Sequence, residues 1–563
     1  MSRVGVPTDV SSPGASRPAA GEFRGLLPLA ALVAGYLLYA AWFVGRSTSV
    51  VDGVRFSSLN DEAMISMQYA RNLVEGRGLV WMPGGPTVEG FASPLLVAWM
   101  ALFHLLPIPT PELSLYVQAG SALIMGLNVV MLYLLAQEFV GRPSVAPLLA
   151  AGMTAFYLPL NLWGLTGTEV GPLLLAVSSS LWLTLRALNR QRFSPWPYIL
   201  LSLALWIRLD AVALFLVVWA YQVIVDRNHR TQHLVWGGTL LAMTLTTQTG
   251  WRLWIFGDAL PAAYRLKLVG VPLVGRWLRG LQVTLYFLYV SNWALLLFPF
   301  LLLLLERPRH WGLVGGLVLG IAALNAYNGG DSTDHLGGSN RYTSLAMPLY
   351  FVAFAWAVDH LGRVLRRPPA LAKRWGGAVT PLILLSASVS ALLTLHGVRG
   401  EDPSDARLLG AGPTFASTHR NVTLALFLQQ IASGEATVAV VEAGAIPYFS
   451  GRGAIDLLGR SDPAILQGEA RLDPNPFLGE VRQGFMKYDY AWSIEELRPD
   501  VVLELVPGTA ADAQAFLNAY ANVFVPELEA IVPDGHIYLR IGSPNVRWDI
   551  VESAATSLEG EVP

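Results

Sequence analysis

Tyr198-Ile-Leu-Leu-Ser-Leu-Ala-Leu-Trp-Ile-Arg208-Leu209-Asp210-Ala-Val-Ala-Leu-Phe-Leu-Val-Val-Trp-Ala-Tyr-Gln-Val-Ile-Val225 is apolar almost throughout, with two charges at its centre. As one long helix it would bury Arg208 and Asp210 in mid-membrane, which is costly. As a hairpin it places both charges at a turn between two short helices. The two readings give opposite orientations to everything downstream. The hairpin keeps the basic connectors on one side, so we adopt it.

Composition supports lipid as the solvent. Of 563 residues, 53% are hydrophobic and 14% charged, against about 25% charged in soluble domains. Mean hydropathy is +0.46. The 18 Trp and 19 Tyr suit interfacial belts. No cysteine is present, which excludes disulfides, thiolate metal sites and Cys nucleophiles. No basic stripe suits nucleic acid. The net charge of -2 says nothing of partners, because the charges are segregated.

A spanning helix needs about 20 apolar residues. Candidate spans are Leu26–Val44, Tyr116–Ala136, Val145–Leu162, Pro172–Leu185, the two arms of the hairpin (Tyr198–Ile207 and Ala211–Val225), Leu234–Gly250, Leu281–Leu305, Gly312–Tyr327, Thr343–Val358 and Val379–His396. This predicts a polytopic α-helical membrane protein of about 11 spans. Residues 1–24 read as a disordered cytoplasmic tail rather than a cleavable signal. The basic connectors are Arg142, Arg186–Arg192, Arg227–Arg230, Arg307–Arg309 and Arg363–Arg374. Placing them inside puts a first loop (45–115), 163–171, the Arg208 turn, 251–280 and 328–341 outside. The run Leu95–Leu106 must then not span, and Pro107 and Pro109 end it. Residues 25–396 form the membrane domain, and 397–563 an extracytoplasmic α/β domain. Its expected strands are Thr437–Val441, Val501–Leu505 and His536–Ile541, with helices over Val422–Ile431 and Ala511–Tyr520.

Within the first loop, Met64, Met67 and Arg71 fall at helical spacing after Asn60, with Asp61 and Glu62 in the first turn. The pattern predicts an amphipathic helix along the membrane surface. Its acids either complement the helix dipole or serve as a general base for an acceptor hydroxyl. Arg208, Lys267 and Arg341 are outer cations at the ends of separate spans. They fit either snorkelling or a phosphate site. Asp258 and Asp331 each follow Gly, where turn chemistry is the commoner reason and sugar binding the alternative. Asp331, Asp334 and His335 lack the dense oxygen cluster of a hard-cation site, so a divalent metal is not expected to be required. Trp81, Trp163, Trp251 and Trp254 read mostly as interfacial anchors, with one or two available to stack on sugar.

The run Asp61-Glu62-Ala-x-Ile-Ser-x-x-Tyr-Ala-Arg-Asn-Leu, then Gly-x-Gly-Leu-Val, then Val88-Glu89-Gly90-Phe91-x-Ser93-Pro94-Leu95, resembles the first periplasmic loop of the GT-C superfamily of polyprenyl-phosphate-dependent glycosyltransferases. The likeness is greatest to the bacterial branch containing mycobacterial terminal arabinofuranosyltransferases. Protein mannosyltransferases and the aminoarabinose transferase are more distant relatives. Gly167-Thr168-Glu169, Arg208-Leu209-Asp210, Phe256-Gly257-Asp258 with Tyr264 and Lys267, and Gly329-Gly330-Asp331 with Arg341 resemble later segments in order. Glu442–Tyr448 and Ile455-Asp456-Leu457-Leu458-Gly459 resemble the start of the family's soluble domain. The family shows Asp-Asp where this chain has Asp61-Glu62.

The resemblance implies an inverting transferase in a bacterial cytoplasmic membrane, with its site outside. The implied donor is a polyprenyl-phosphate sugar, with the branch pointing toward arabinofuranose, and the implied acceptor a glycan, lipid or protein of the cell envelope. It implies Asp61 as base beside Glu62, donor phosphate on Arg208, Lys267 and Arg341, and substrate contacts from Glu89, Glu169, Asp210, Asp258, Tyr264 and Asp331. Competing readings are a flippase for polyprenyl-linked glycans, which needs a continuous polar path, and a noncatalytic scaffold. Oligomeric state is not readable.

Overall fold

A computed structural model describes residues 20–290, 296–300, 302, 307–331, 339–365, 414–472, 481, 483–529, 531–532 and 535–556. Residues 1–19 of the expected tail, the expected span Val379–His396, and Asp334 and His335 lie outside the described residues, while residues 20–24 of that tail already belong to the helix Ala20–Ser47.

The chain reverses at Arg208. The helix Trp196–Ile207 ends there on extended backbone (φ -147°, ψ 128°). A single 3-10 turn, Leu209–Ala211, then leads into the helix Val212–Val225. Two contacts mark opposite ends of the hairpin. Trp206 meets Trp251 with ring centroids 5.9 Å apart. At the other end the Tyr198 hydroxyl is 2.7 Å from His233 Nδ1, and His233 Nε2 is 3.1 Å from Asp226. The helix Arg230–Phe256 then carries the chain back, leaving Val212–Val225 at a bend of 101°.

Among the described residues five helices are long and apolar enough to cross a membrane, Leu27–Ser47, Thr110–Val140, Val170–Asn189, Trp311–Asn328 and Arg341–Arg363, and two bent helix pairs would bring the number to seven, against the 11 expected. The expected single span Val145–Leu162 is instead two helices, Ala146–Ala155 and Leu158–Leu165, bent by 57°. Pro159 explains the break, because it has no N–H to continue the earlier helix. The helix expected over Leu281–Leu305 starts earlier, at Leu273, and residues 291–295, 301 and 303–306 lie outside the description. Pro94–His104 has 11 residues, about 16 Å by helical rise, and is too short to span. Ser93 caps it by accepting from Leu96 N at 3.3 Å.

The bundle has two distinct ends. One gathers the basic connectors, where Arg142 pairs with Asp359 at 2.5 Å and His310 Nε2 meets Asn189 at 3.0 Å. The opposite end receives the first loop and the C-terminal domain. The first loop opens with a short hairpin, Ser49–Val51 (β1) and Val54–Phe56 (β2), and the C-terminal domain holds Thr437–Val440 (β3), Gly453–Asp456 (β4), Val501–Val502 (β5), Tyr520–Phe524 (β6) and His536–Arg540 (β7) in one five-stranded sheet of order β4-β3-β5-β7-β6. β3 pairs in parallel with β4 and β5, while β7 is antiparallel to β5 and β6. The strands β4 and β6 were not anticipated. Tyr520, placed at the end of a helix by sequence, opens β6 instead.

The first-loop helix exists over Asp61–Val74, but it does not lie exposed on a surface. Met64, Met67, Tyr69 and Ala70 are fully buried. They join Val438, Val440, Val501 and Leu539 of the C-terminal sheet in one hydrophobic core. Each such Met contributes about 1.5–3 kcal/mol by leaving water. The methionine spacing that suggested a helix lying on the membrane surface is therefore the seam between the helical bundle and the C-terminal domain.

Candidate active site

Six separate elements deliver charges to one place at that end of the bundle. Glu62 sits in the first turn of Asp61–Val74, and Glu169 immediately precedes Val170–Asn189. Arg208 and Asp210 occupy the hairpin break, and Lys267 lies in the short helix Ala262–Leu268. Asp331 follows Gly329 and Gly330, whose φ values of 75° and 84° reverse the chain after Trp311–Asn328 in a way only glycine adopts readily. Arg341 opens the helix Arg341–Leu365.

Arg341 is the hub. Its Nε and Nη2 donate to the two oxygens of Asp331, each at 2.6 Å, and Nη1 donates to Glu62 at 2.5 Å and Glu169 at 3.5 Å. Its guanidinium carbon lies 5.2 Å from the Trp163 ring centroid. Arg208 grips Asp210 in a fork at 2.9 and 2.6 Å and donates to Glu169 at 2.6 Å. Tyr342 Oη ties Arg208, Asp210 and Asn328 together. Lys267 contacts Asp331 at 3.3 Å. Three cations thus face four carboxylates in one network. Burial alone would raise Glu62, but Arg341, Lys267 and Arg460 outweigh it and hold the carboxyl at about 2. Asp331 is likewise held well below the usual range by Arg341 and Lys267, against the cost of burial.

Glu62, Glu169, Arg208, Asp210, Lys267 and Arg341 line a cavity of about 330 Å³. Apolar side chains, among them Leu96, Leu209, Val212, Leu266 and Leu324, make up much of its remaining wall. Tyr264 lines it too, with its hydroxyl 3.3 Å from that of Tyr327.

Asp61 is placed differently from Glu62. Its Oδ1 accepts from the backbone N–H groups of Gly444 and Ala445 at 2.9 and 3.2 Å, and Oδ2 lies 3.3 Å from Arg460 Nη1. Burial and the nearby Glu442 raise its pKa to about 7, although Arg460 and the two amides pull it down. It is not among the residues that line the cavity; Arg460, its ion-pair partner, is. A carboxylate of this proton affinity is suited to accept a proton near neutral pH.

Two expected site residues lie elsewhere. Glu89 forms a buried ion pair with Arg252 at 2.9 Å, bracing the first loop against the end of Arg230–Phe256. Asp258 is held by Arg265 and accepts from Leu260 N at 3.0 Å, a turn role. Removing one partner of a buried pair leaves the other charge uncompensated. Glu89→Ala is accordingly expected to lower unfolding stability by about 3–5 kcal/mol in a thermal or denaturant titration, whereas Asp258→Ala is expected to cost less than about 1 kcal/mol.

The tryptophans are not the belt expected of them. Trp163 is buried beneath Arg341, and Trp81 is buried with its Nε1 donating to Ala443 O at 3.1 Å. Trp251 packs on Trp206, and Trp254 is the well-exposed one, at 84%. Sequence reasoning also missed Arg460, Arg252, Tyr342 and Asn328. Arg460 directly follows the flagged Ile455–Gly459 run, so a signal lay one residue away. Among the described residues no group of three or more His, Asp or Glu is placed to hold a metal ion.

A family model described as a domain of unknown function, DUF8728, matches residues 414–536, most of the C-terminal domain. No curated protein matches the chain. Among solved structures, the Archaeoglobus fulgidus oligosaccharyltransferase in complex with Zn and sulfate is similar at 15% identity and a TM-score of 0.53, covering 90% of this chain and 75% of that one. The same enzyme tethered to an acceptor peptide gives 12% identity and a TM-score of 0.53, over 94% and 75%. ArnT from Cupriavidus metallidurans bound to undecaprenyl phosphate gives 14% identity and a TM-score of 0.43, over 78% and 86%. The chain shares the fold of the Archaeoglobus fulgidus oligosaccharyltransferase, a bundle of apolar helices followed by a C-terminal α/β domain.

Proposed function

We propose that this chain is a membrane glycosyltransferase that moves a sugar from a polyprenyl-phosphate donor to a hydroxyl-bearing acceptor on the outer face of a bacterial cytoplasmic membrane. The observation that carries the proposal is the cavity itself. A wall of Lys267, Arg208 and Arg341 stands against an apolar wall of Leu209, Val212 and Leu324. A lipid phosphate needs both, a cationic place for its head and an apolar one for its chain.

In the reaction the C1–O bond to phosphate breaks, and its electron pair leaves on the phosphate oxygen. The cationic wall stabilises that developing charge. The acceptor oxygen forms the new bond to C1 from the opposite face, and its proton passes to a carboxylate, with inversion. Asp61 is the base, because its proton affinity lies near neutral pH, whereas Glu62 is a permanent anion that orients Arg341. Glu169, Asp210 and Asp331 hold the arginines in position. The similarity of the first loop to the arabinofuranosyltransferase branch favours a pentofuranosyl donor and a cell-wall glycan acceptor. The outer placement is supported by the basic connectors, such as Arg142, gathering at the end remote from the cavity.

The test is transfer by the purified full chain from a panel of synthetic polyprenyl-phospho-sugars. Transfer is expected for at least one donor. Lys267→Ala is expected to raise the KM for it about tenfold, the worth of one charge-assisted contact. No turnover with any donor, together with no binding of undecaprenyl phosphate, defeats the proposal.

A further inference from the structure

We infer that Arg460, carried by the C-terminal domain, is the guanidinium that receives the donor's phosphate, so that the outer domain completes the active site rather than merely covering it. This rests on the function proposed above.

The other arginines of the network are already engaged. Arg208 and Arg341 each hold one carboxylate in a two-bond fork and reach a second at 2.5–2.6 Å. Neither can turn to a phosphate without abandoning a buried acid. Arg460 lines the same cavity, and its one ion pair among the described residues is to Asp61 at 3.3 Å, with Glu62, Asp456 and Glu442 also near enough to act on its charge. Its side chain is 15% exposed. Together with Lys267 it is the least committed cation of the cavity wall, and both lie close enough to Glu62 to act on its charge.

Several otherwise unexplained residues serve to present it. The carboxylate of Asp456 accepts from Leu458 N at 3.0 Å and Ser461 N at 2.8 Å, closing a turn around residue 460. Gly459 sits at φ 69° inside that turn. From the first loop, Gly90 presses on it so closely that a Cβ there would stand 2.3 Å from Ser461 Oγ and 3.1 Å from Arg460 O. A position built this tightly from two domains fixes where the guanidinium starts. When Arg460 turns to a phosphate it leaves Asp61, and the acid loses a cation at the moment it must accept a proton.

The experiment measures binding of undecaprenyl phosphate, and of uncharged undecaprenol, to the detergent-solubilised full chain by native mass spectrometry or calorimetry. Arg460→Ala is expected to weaken phosphate binding about 10- to 100-fold, as loss of a charge-assisted contact does, and to leave undecaprenol unchanged. Arg460→Lys is expected to recover part of the loss. Arg460→Gln, which keeps a donor of similar reach, serves if the alanine variant does not fold. If wild type binds undecaprenyl phosphate and the folded variants bind it equally well, the inference is overturned and the function proposed above stands. If the variants lose undecaprenol to the same degree, Arg460 acts on shape and the inference is again overturned. If wild type itself does not bind the phosphate, the function proposed above fails.

Discussion

Arg341→Ala is expected to slow transfer by about 10²–10³ and to lower stability by about 3–5 kcal/mol. Both effects follow from its position. The side chain is 5% exposed and joins Glu62, Asp331 and Glu169, which come from three different parts of the chain. Without it, three carboxylates crowd one buried place with Lys267 and Arg208 as the remaining cations of the network. Some of them must protonate or part, and either outcome dismantles the cavity wall. Arg341→Lys is expected to rescue stability in part and the rate hardly at all. An ammonium supplies charge but cannot fork onto Asp331 while also reaching Glu62. Initial transfer rates and thermal unfolding of the same preparations check both claims. A folded Arg341→Ala protein with an undiminished rate contradicts them.

Asp61→Asn is expected to cost about 10²–10⁴ in transfer rate, the usual worth of a general base. The amide oxygen can still accept from Gly444 and Ala445, so unfolding stability should change far less than the rate. The pH profile is the sharper readout. With the Asp61 carboxyl raised to about 7 by burial and Glu442, and opposed by Arg460, the wild-type rate should rise with pH through about 7 and level off above it. The variant should lose that limb. Stability runs the other way. The folded chain binds a proton that the unfolded chain, with an ordinary value of 3.8, has already released. This group's contribution therefore falls as pH rises from about 4 through 7. An asparagine variant retaining both the rate and the rising limb removes Asp61 from the role of base.

The sequence made the membrane class and the hairpin legible for one reason. Arg208 and Asp210 interrupt an apolar run, and charges in such a run are tolerated only where they pair or meet water. The acids and bases of the network were legible one at a time, because each stands beside a Gly or at the edge of a span. Their pairing was not. Nothing local tells that Arg341 holds Asp331, ten positions away, and Glu62, 279 away. Asp258 takes the turn role that its Gly neighbour suggested rather than a substrate contact, but its partner Arg265, like Arg252 for Glu89, is one that periodicity does not reveal. The 61–74 helix was found but its surroundings were misread. A methionine face that packs on protein and one that packs on lipid have the same spacing.

That helix also sets an order of events during biosynthesis. Asp61 and Gly444 are separated by 383 residues of chain, yet the carboxylate of one is bonded to the amide of the other. The first loop emerges long before the strands that shelter Met64 and Met67. Until translation nears its finish, those side chains lack their permanent cover and the acid its amide partners. Contacts this distant in sequence form late and leave sticky intermediates meanwhile. A nascent chain halted before residue 414 should thus be inactive and prone to capture by chaperones, however complete its membrane helices.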